Sequence, residues 1–245
     1  MNIAYFDCFS GIAGDMILGA LIDLGVEIEF LKNELKKINL SGYKINIKKV
    51  EKNHISAIDV YIKVEKPQKY RSYSDIEKLI KDSSLDNEIK KISIEIFQKL
   101  AQAEGKIHSI PMDKVHFHEI GAIDSIIDIV GAIICITKLD LKEIYCSPLP
   151  LGKGFVKCAH GLLPIPAPAT VEILKNTPVY QTNRKQELVT PTGAAIITTI
   201  AKQFSESPSM KINKIGYGAG KIKSIYPSLL RVLIGQTENI KKEKK

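Results

Sequence analysis

The stretch KVHFHEIGAIDSIIDIVG, residues 114–131, sets two histidines one residue apart, follows them with a glutamate, and places two aspartates four residues apart in an apolar run. In an extended segment His116 and His118 point to the same side, an arrangement suited to two imidazoles meeting one borderline metal ion. Asp124 and Asp128 fall one helical turn apart and share a face. Carboxylates on an otherwise apolar helix need a cation, a hydrogen-bond network or a water-filled cleft. A metal site or polar cleft accommodates both pairs, with Glu119 beside them. The alternative makes the histidines partly exposed strand residues and the aspartates a cap and a salt bridge. An isolated HxH is a weak motif, and spacing alone leaves both readings open.

Two further segments carry comparable residue types. KCAHG, residues 157–161, repeats the alternating spacing with Cys158 and His160, and a thiolate with an imidazole suits nickel, zinc or copper better than magnesium. Its competing reading is a buried thiol beside a surface histidine. DCFSGIAGD, residues 7–15, turns through Ser10, Gly11 and Gly14 into an expected helix, leaving backbone amides able to hold a phosphate or carboxylate. Asp7 and Asp15 oppose a bare phosphate there, so the turn suits a metal-bridged phosphate, or a metal alone with Cys8 nearby. Its competing reading is a strand-to-helix turn capped by Ser10 with Cys8 in the core. GYGAG, residues 216–220, resembles half a dinucleotide fingerprint but lacks the helix that would receive the phosphate. Cys135 and Cys146 read as core thiols, and His54 and His108 as structural.

The elements that must position these residues follow from periodicity. NIAYF reads as a buried strand, and the run after SGIAGD as a helix. A helix is expected around 30–38. YKINIKKV and AIDVYIKVE alternate with period two, as an antiparallel pair exposed on one side does. Helices are expected over 73–81, 87–104 and 123–139, the last apolar nearly all round and therefore buried. A proline- and glycine-rich stretch leads to a helix beginning near Ala167, another starts at TPTGAA with Thr190 or Thr192 as cap, and two strands, SMKINKIGYG and SLLRVLIG, close the chain. The sum is an α/β (α+β) fold with a mixed sheet, packed helices and a small antiparallel subdomain. A weak boundary signal lies near 67–72, and residues 237–245 form a lysine-rich tail.

With 245 residues and 44% hydrophobic content the chain can bury a sizeable core. The net charge of +8 is spread as lysines interleaved with glutamates along helices, the pattern of solvated faces rather than of a nucleic-acid interface. No apolar run is long enough to span a bilayer and no basic region precedes an apolar one at the N-terminus, so a cytoplasmic protein without nucleic-acid or membrane partners is expected. The four cysteines show no CxxC spacing, which argues against a disulfide framework.

Taken together, YFDCFSGIAGDMILGALIDLG, VHFHEIGAIDSIIDIVG, SPLPLGKGFVKCAHGLLPIPAPAT, ELVTPTGAAI and GYGAGK with LLRVLIG resemble the LarC family, over about residues 2–235. These are nickel-insertion proteins that complete the nickel-pincer nucleotide cofactor of lactate racemase. The resemblance implies a nickel chelatase, a lyase, that inserts Ni(2+) into pyridinium-3,5-bisthiocarboxylic acid mononucleotide, with bonds to two sulfurs and the pyridinium C4 carbon and with CTP hydrolysis. It implies Asp15, His116, His118 and Cys158 as nickel ligands, Glu119, Asp124 and His160 as further ligands or bases, and Ser10, Gly11 and Gly14 around bound substrate. It further implies a C-terminal portion, absent here, that binds CTP with Mn(2+) or Mg(2+), contact with apo-lactate racemase, and a homo-oligomer. A nickel metallochaperone or storage module without chemistry is the alternative.

Overall fold

The computed structural model of the chain describes residues 2–66, 71–117, 123–158, 161–222 and 224–237, and of His116 and Cys158 the backbone. The chain opens with β1 (Asn2–Asp7), α1 (Gly14–Asp23) and α2 (Ile28–Leu35), then the long pair β2 (Tyr43–Lys52) and β3 (Ile55–Val64). A short β4 (Arg71–Ser72) leads into α3 (Tyr73–Lys81) and α4 (Asn87–His108), and β5 (His116–Phe117) precedes α5 (Ile123–Lys138). Next come β6 (Glu143–Cys146), β7 (Leu149–Leu151), the hairpin β8 (Phe155–Cys158) and β9 (Gly161–Pro164), α6 (Pro168–Ile173) and β10 (Val179–Gln181). The remainder is α7 (Pro191–Ile200), β11 (Gln203–Phe204), β12 (Met210–Ala219) and β13 (Leu229–Thr237).

Seven strands form one mixed sheet in the order β11-β6-β1-β13-β12-β3-β2. β1 runs parallel to β6 and antiparallel to β13, while β2 and β3 pair antiparallel from Tyr43↔Val64 to Lys52↔Ile55. The alternating pair is thus as expected. It joins the main sheet where Gly218 on β12 meets Ile58 on β3. The weak boundary signal at 67–72 falls largely on residues outside those described, as does most of the lysine-rich tail.

Helix starts follow local chemistry. Ser72 caps α3 by a reciprocal capping box with Asp75, and Thr190 caps α7 by accepting the Gly193 amide at 3.1 Å. α5 buries both flanks, as its all-round apolar character requires, with Ile126, Ile127, Ile129, Val130 and Ile133 at most 1% exposed. It packs on α1 and α4, and α1 packs directly on the sheet.

That last contact explains the GYGAG run. A Cβ at Gly216 or Gly218 would drive into the backbone of α1 at the Ala20 or Met16 carbonyl, and one at Gly19 would meet the Ile58 carbonyl. The glycines are a seam that lets α1 and β12 approach backbone to backbone. Gly218→Ala is therefore expected to cost about 3 kcal/mol through overpacking and to lower the melting temperature by roughly 6–12 °C. A thermal melt within about 2 °C of wild type would contradict that close approach.

Candidate metal and substrate site

The loop after β1 leaves the sheet at the carboxyl end of a strand, where α/β folds commonly place ligands. Gly11 has φ +106°, and a Cβ there would enter the Leu188 carbonyl. The turn is held to the 188–190 segment by hydrogen bonds from the Ile12 amide to the Leu188 carbonyl (2.8 Å) and from the Thr190 amide to the Ile12 carbonyl (3.1 Å). Ser10 does not cap α1, whose N-cap position is Ala13 without a side-chain bond. Instead the Ser10 hydroxyl accepts a 2.7 Å hydrogen bond from the Arg184 guanidinium. Cys8 takes the core alternative. It is fully buried, with its Sγ 3.6 Å from the Cys146 Sγ.

Asp15, in the first turn of α1, faces a small electrostatic cluster. Its Oδ1 accepts the Met16 amide at 2.8 Å, and its Oδ2 lies 3.6 Å from the Lys221 ammonium. Lys221 also donates to Asp59 on β3 and, at 2.7 Å, to the Val60 carbonyl. Burial raises the Asp15 carboxyl above its usual range, with Asp59 adding to the rise; Lys221 and the Met16 amide oppose it.

Behind Asp15 stands Asp128 of α5. A Cβ on Gly14 would lie 2.7 Å from its Oδ2, so glycine at 14 is what leaves room for this carboxyl beside the turn. The residue keeps some solvent exposure as a whole, yet its Oδ1 is sealed and has no hydrogen-bond partner among the described residues. Burial first, then the nearby Asp15 and Asp124, hold the Asp128 proton well beyond the ordinary carboxylate range, against a smaller pull from Lys221. Asp124, one turn earlier, is exposed, and its carboxylate accepts the Ser125 amide at 2.9 Å.

The structure therefore brings Asp15, Asp124 and Asp128 to one locality and adds Lys221 and Asp59, which no motif singles out although Lys221 closes the GYGAGK segment. His118, Glu119 and His160 lie outside the described residues. His116 sits on β5, paired with Ser72, seven residues before α5 begins, and Cys158 ends β8 where the hairpin turns. Among the described residues no three His, Cys, Asp or Glu side chains converge closely enough to hold a metal ion by themselves. His54 and His108 lie 3.0 Å from Glu51 and 3.4 Å from Glu104.

Asp15 and Lys221 open onto a cleft of about 440 Å³ between the turn, the 185–190 segment and the β8–β9 hairpin. Its apolar lining includes Met16, Val156, Ile165 and Phe155, the last 68% exposed at the hairpin.

A family model described as "Nickel insertion protein" matches residues 4–245. The chain belongs to the nickel insertion protein family. It is 54% identical over 236 residues to a Dictyoglomus thermophilum protein named for nickel insertion, covering 96% of this chain and 61% of the relative. It is 48% identical over 251 residues to the pyridinium-3,5-bisthiocarboxylic acid mononucleotide nickel insertion protein of Geobacillus kaustophilus, covering 98% and 61%. The Desulfitobacterium hafniense protein of that name is 44% identical over 236 residues, covering 96% and 59%. The chain thus spans about three-fifths of the length of these curated relatives. No solved structure matches it. No helix among the described residues is long and apolar enough to cross a membrane.

Both glycine-rich segments serve packing, Gly11 against Leu188, and Gly216 and Gly218, within β12, against α1.

Proposed function

We propose that this chain takes up nickel(II) at Asp15, Asp124 and Asp128, completed by His116, His118, Glu119, Cys158 or His160, and inserts it into pyridinium-3,5-bisthiocarboxylic acid mononucleotide. The observation that carries the reading is Asp128. A sealed carboxyl oxygen without a partner among the described residues, near the half-buried carboxyl of Asp15, is an unfavourable arrangement unless a cation is to be received there. In the insertion, two sulfurs of the substrate and its C4 carbon bind nickel(II), and C4 gives up a proton. A carboxylate with a raised proton affinity is a suitable acceptor once the metal has left it. Weak, exchangeable ligation fits transfer of a cargo ion, because a structural centre would retain it.

On this reading CTP with Mn(2+) or Mg(2+) belongs to the remaining length of the relatives, and the complete enzyme is a lyase of the chelatase type that supplies lactate racemase. That portion, lactate racemase and a second copy of the chain are its expected partners, in the cytoplasm.

The test is single-turnover insertion with the chain, nickel and the thiocarboxylate substrate, with and without the remaining portion and CTP, the nickel–carbon product being followed by mass spectrometry. Product that disappears in His116→Ala/His118→Ala and in Asp15→Asn, with melting temperatures retained, is expected. Nickel binding without product under every condition would establish a carrier in place of an insertase.

A further inference from the structure

A second cavity, of about 490 Å³, lies between α4, α6 and α7 and shares no lining residue with the cleft beside Asp15. α4 supplies Lys99, Gln102 and Lys106, spaced three and four residues apart and so on one stripe of the helix. The end of α6 supplies Glu172 and Ile173. The turn after it passes through Asn176, in a left-handed conformation, and supplies Lys175 and Thr177. Thr198 of α7 and Phe204 of β11 complete the wall.

Three ammonium groups line this wall against one carboxylate, which leaves two positive charges over. Lys106 and Lys175 converge on the same Glu172 oxygen, at 2.9 and 2.7 Å, and an ion-pair network between α4 and α6 accounts for these three side chains. It does not account for Lys99. That ammonium is half-buried, and among the described residues its one hydrogen bond, at 3.1 Å, goes to the Thr198 hydroxyl, a neutral acceptor. Burial draws the Lys99 pKa below the usual 10.5, opposed by Glu95 one turn earlier, whose side chain lines a different cavity. A partly desolvated cation whose hydrogen-bond partner carries no charge gains most from an anion placed beside it.

We infer that this cavity is a ligand site for a small organic polyanion, a compact carbon skeleton bearing two or more carboxylate or phosphate groups. Lys99 anchors one anionic group beside the Thr198 hydroxyl. Lys106 and Lys175 meet the others, with Gln102 and Thr177 as neutral donors on the same wall. Lysine suits this task, because a point charge with three rotatable donors serves a carboxylate or a phosphate without the planar match that arginine demands. Ala103, Ile173 and Phe204 supply apolar surface for the skeleton. A volume of about 490 Å³ exceeds what a bare inorganic ion fills and lies in the range of small-molecule sites.

The experiment is calorimetry on the full chain near neutral pH at constant ionic strength, and nickel insertion plays no part in its readout. Citrate serves as the polycarboxylate, 3-phosphoglycerate as the phosphorylated acid and inorganic phosphate as the bare anion. Wild type is expected to bind at least one of the two organic anions about tenfold or more tightly than inorganic phosphate, and the one preferred distinguishes carboxylate from phosphate recognition. Lys99→Met keeps the stem and should weaken that binding about tenfold or more, as for loss of a charged hydrogen bond. Lys175→Gln, at an exposed position, should weaken it about threefold and keeps the test open if Lys99→Met loses its fold. No binding of either organic anion, binding no tighter than that of inorganic phosphate, or an unchanged affinity in either folded variant would overturn the inference.

Discussion

Replacing Asp128 by asparagine is expected to raise the melting temperature of the nickel-free protein at pH 8 and to slow nickel insertion sharply. The sign follows from where the proton sits. The folded carboxyl holds its proton well above the usual 3.8 because it is buried and faces Asp15 and Asp124. As pH rises past that usual value the unfolded chain releases its proton first, so stability drains away until the folded group also ionises. Asparagine has no proton to lose and escapes the loss. We expect a gain that is almost absent at pH 4 and full at pH 8, measured by thermal melts across that range. Insertion should fall about 100-fold, as for loss of a group that holds or orients a metal. A variant no more stable than wild type at pH 8 would show that the carboxyl is already satisfied in the free protein. Such an exchange of stability for a charged site is common where function demands it.

Lys221→Met is expected to act in the opposite direction on nickel. The ammonium lies 3.6 Å from Asp15 and also pairs with Asp59, occupying the place that a divalent cation would neutralise. Methionine keeps the stem and removes the charge. Because Lys221 is about half exposed, solvent screens much of its repulsion of an arriving cation, and we expect about tenfold tighter nickel binding, ~1.4 kcal/mol. The loss of Lys221 also strengthens the proton's hold on Asp15 and Asp128, an opposing effect that fades as pH rises, so the measurement belongs at pH 8. Competition against a chelating dye reads the affinity, and single-turnover insertion should slow as nickel is retained. Weaker nickel binding would instead make Lys221 a residue that orients Asp15.

How much of this could be read from residue order depends on the kind of signal. The amphipathic and alternating segments named their own elements: the β2–β3 pair, α3 from Tyr73 to Lys81, and α5 within one residue of its observed end. α4 runs on to His108, four residues past the expected Glu104, because nothing in its polar last turn breaks the helix before Ser109 takes a left-handed conformation. The aspartates of α5 stood out because charge inside an apolar helix is costly wherever it occurs. Lys221 and Asp59 gave no such signal. A lysine after a glycine run and an aspartate on an alternating strand are ordinary by themselves, and only the pairing of β3 with β12 places them beside Asp15. The GYGAG run, set aside as a phosphate site because no helix follows it, serves helix-to-strand packing, a role that residue order alone does not announce.

The glycine seam between α1 and β12 has a mechanical consequence. A helix seated backbone to backbone on a strand has no side-chain layer in which to slide, because any axial slip would bring a Cβ of α1 against a carbonyl of β12 or the reverse. The wall of the cleft that carries Asp15 is therefore a fixed jaw, anchored to the sheet. The opposite wall is the β8–β9 hairpin, which begins after Gly154, a residue with nothing within 4 Å of where its Cβ would lie. The face that carries Asp15 takes its geometry from the sheet on which α1 is seated.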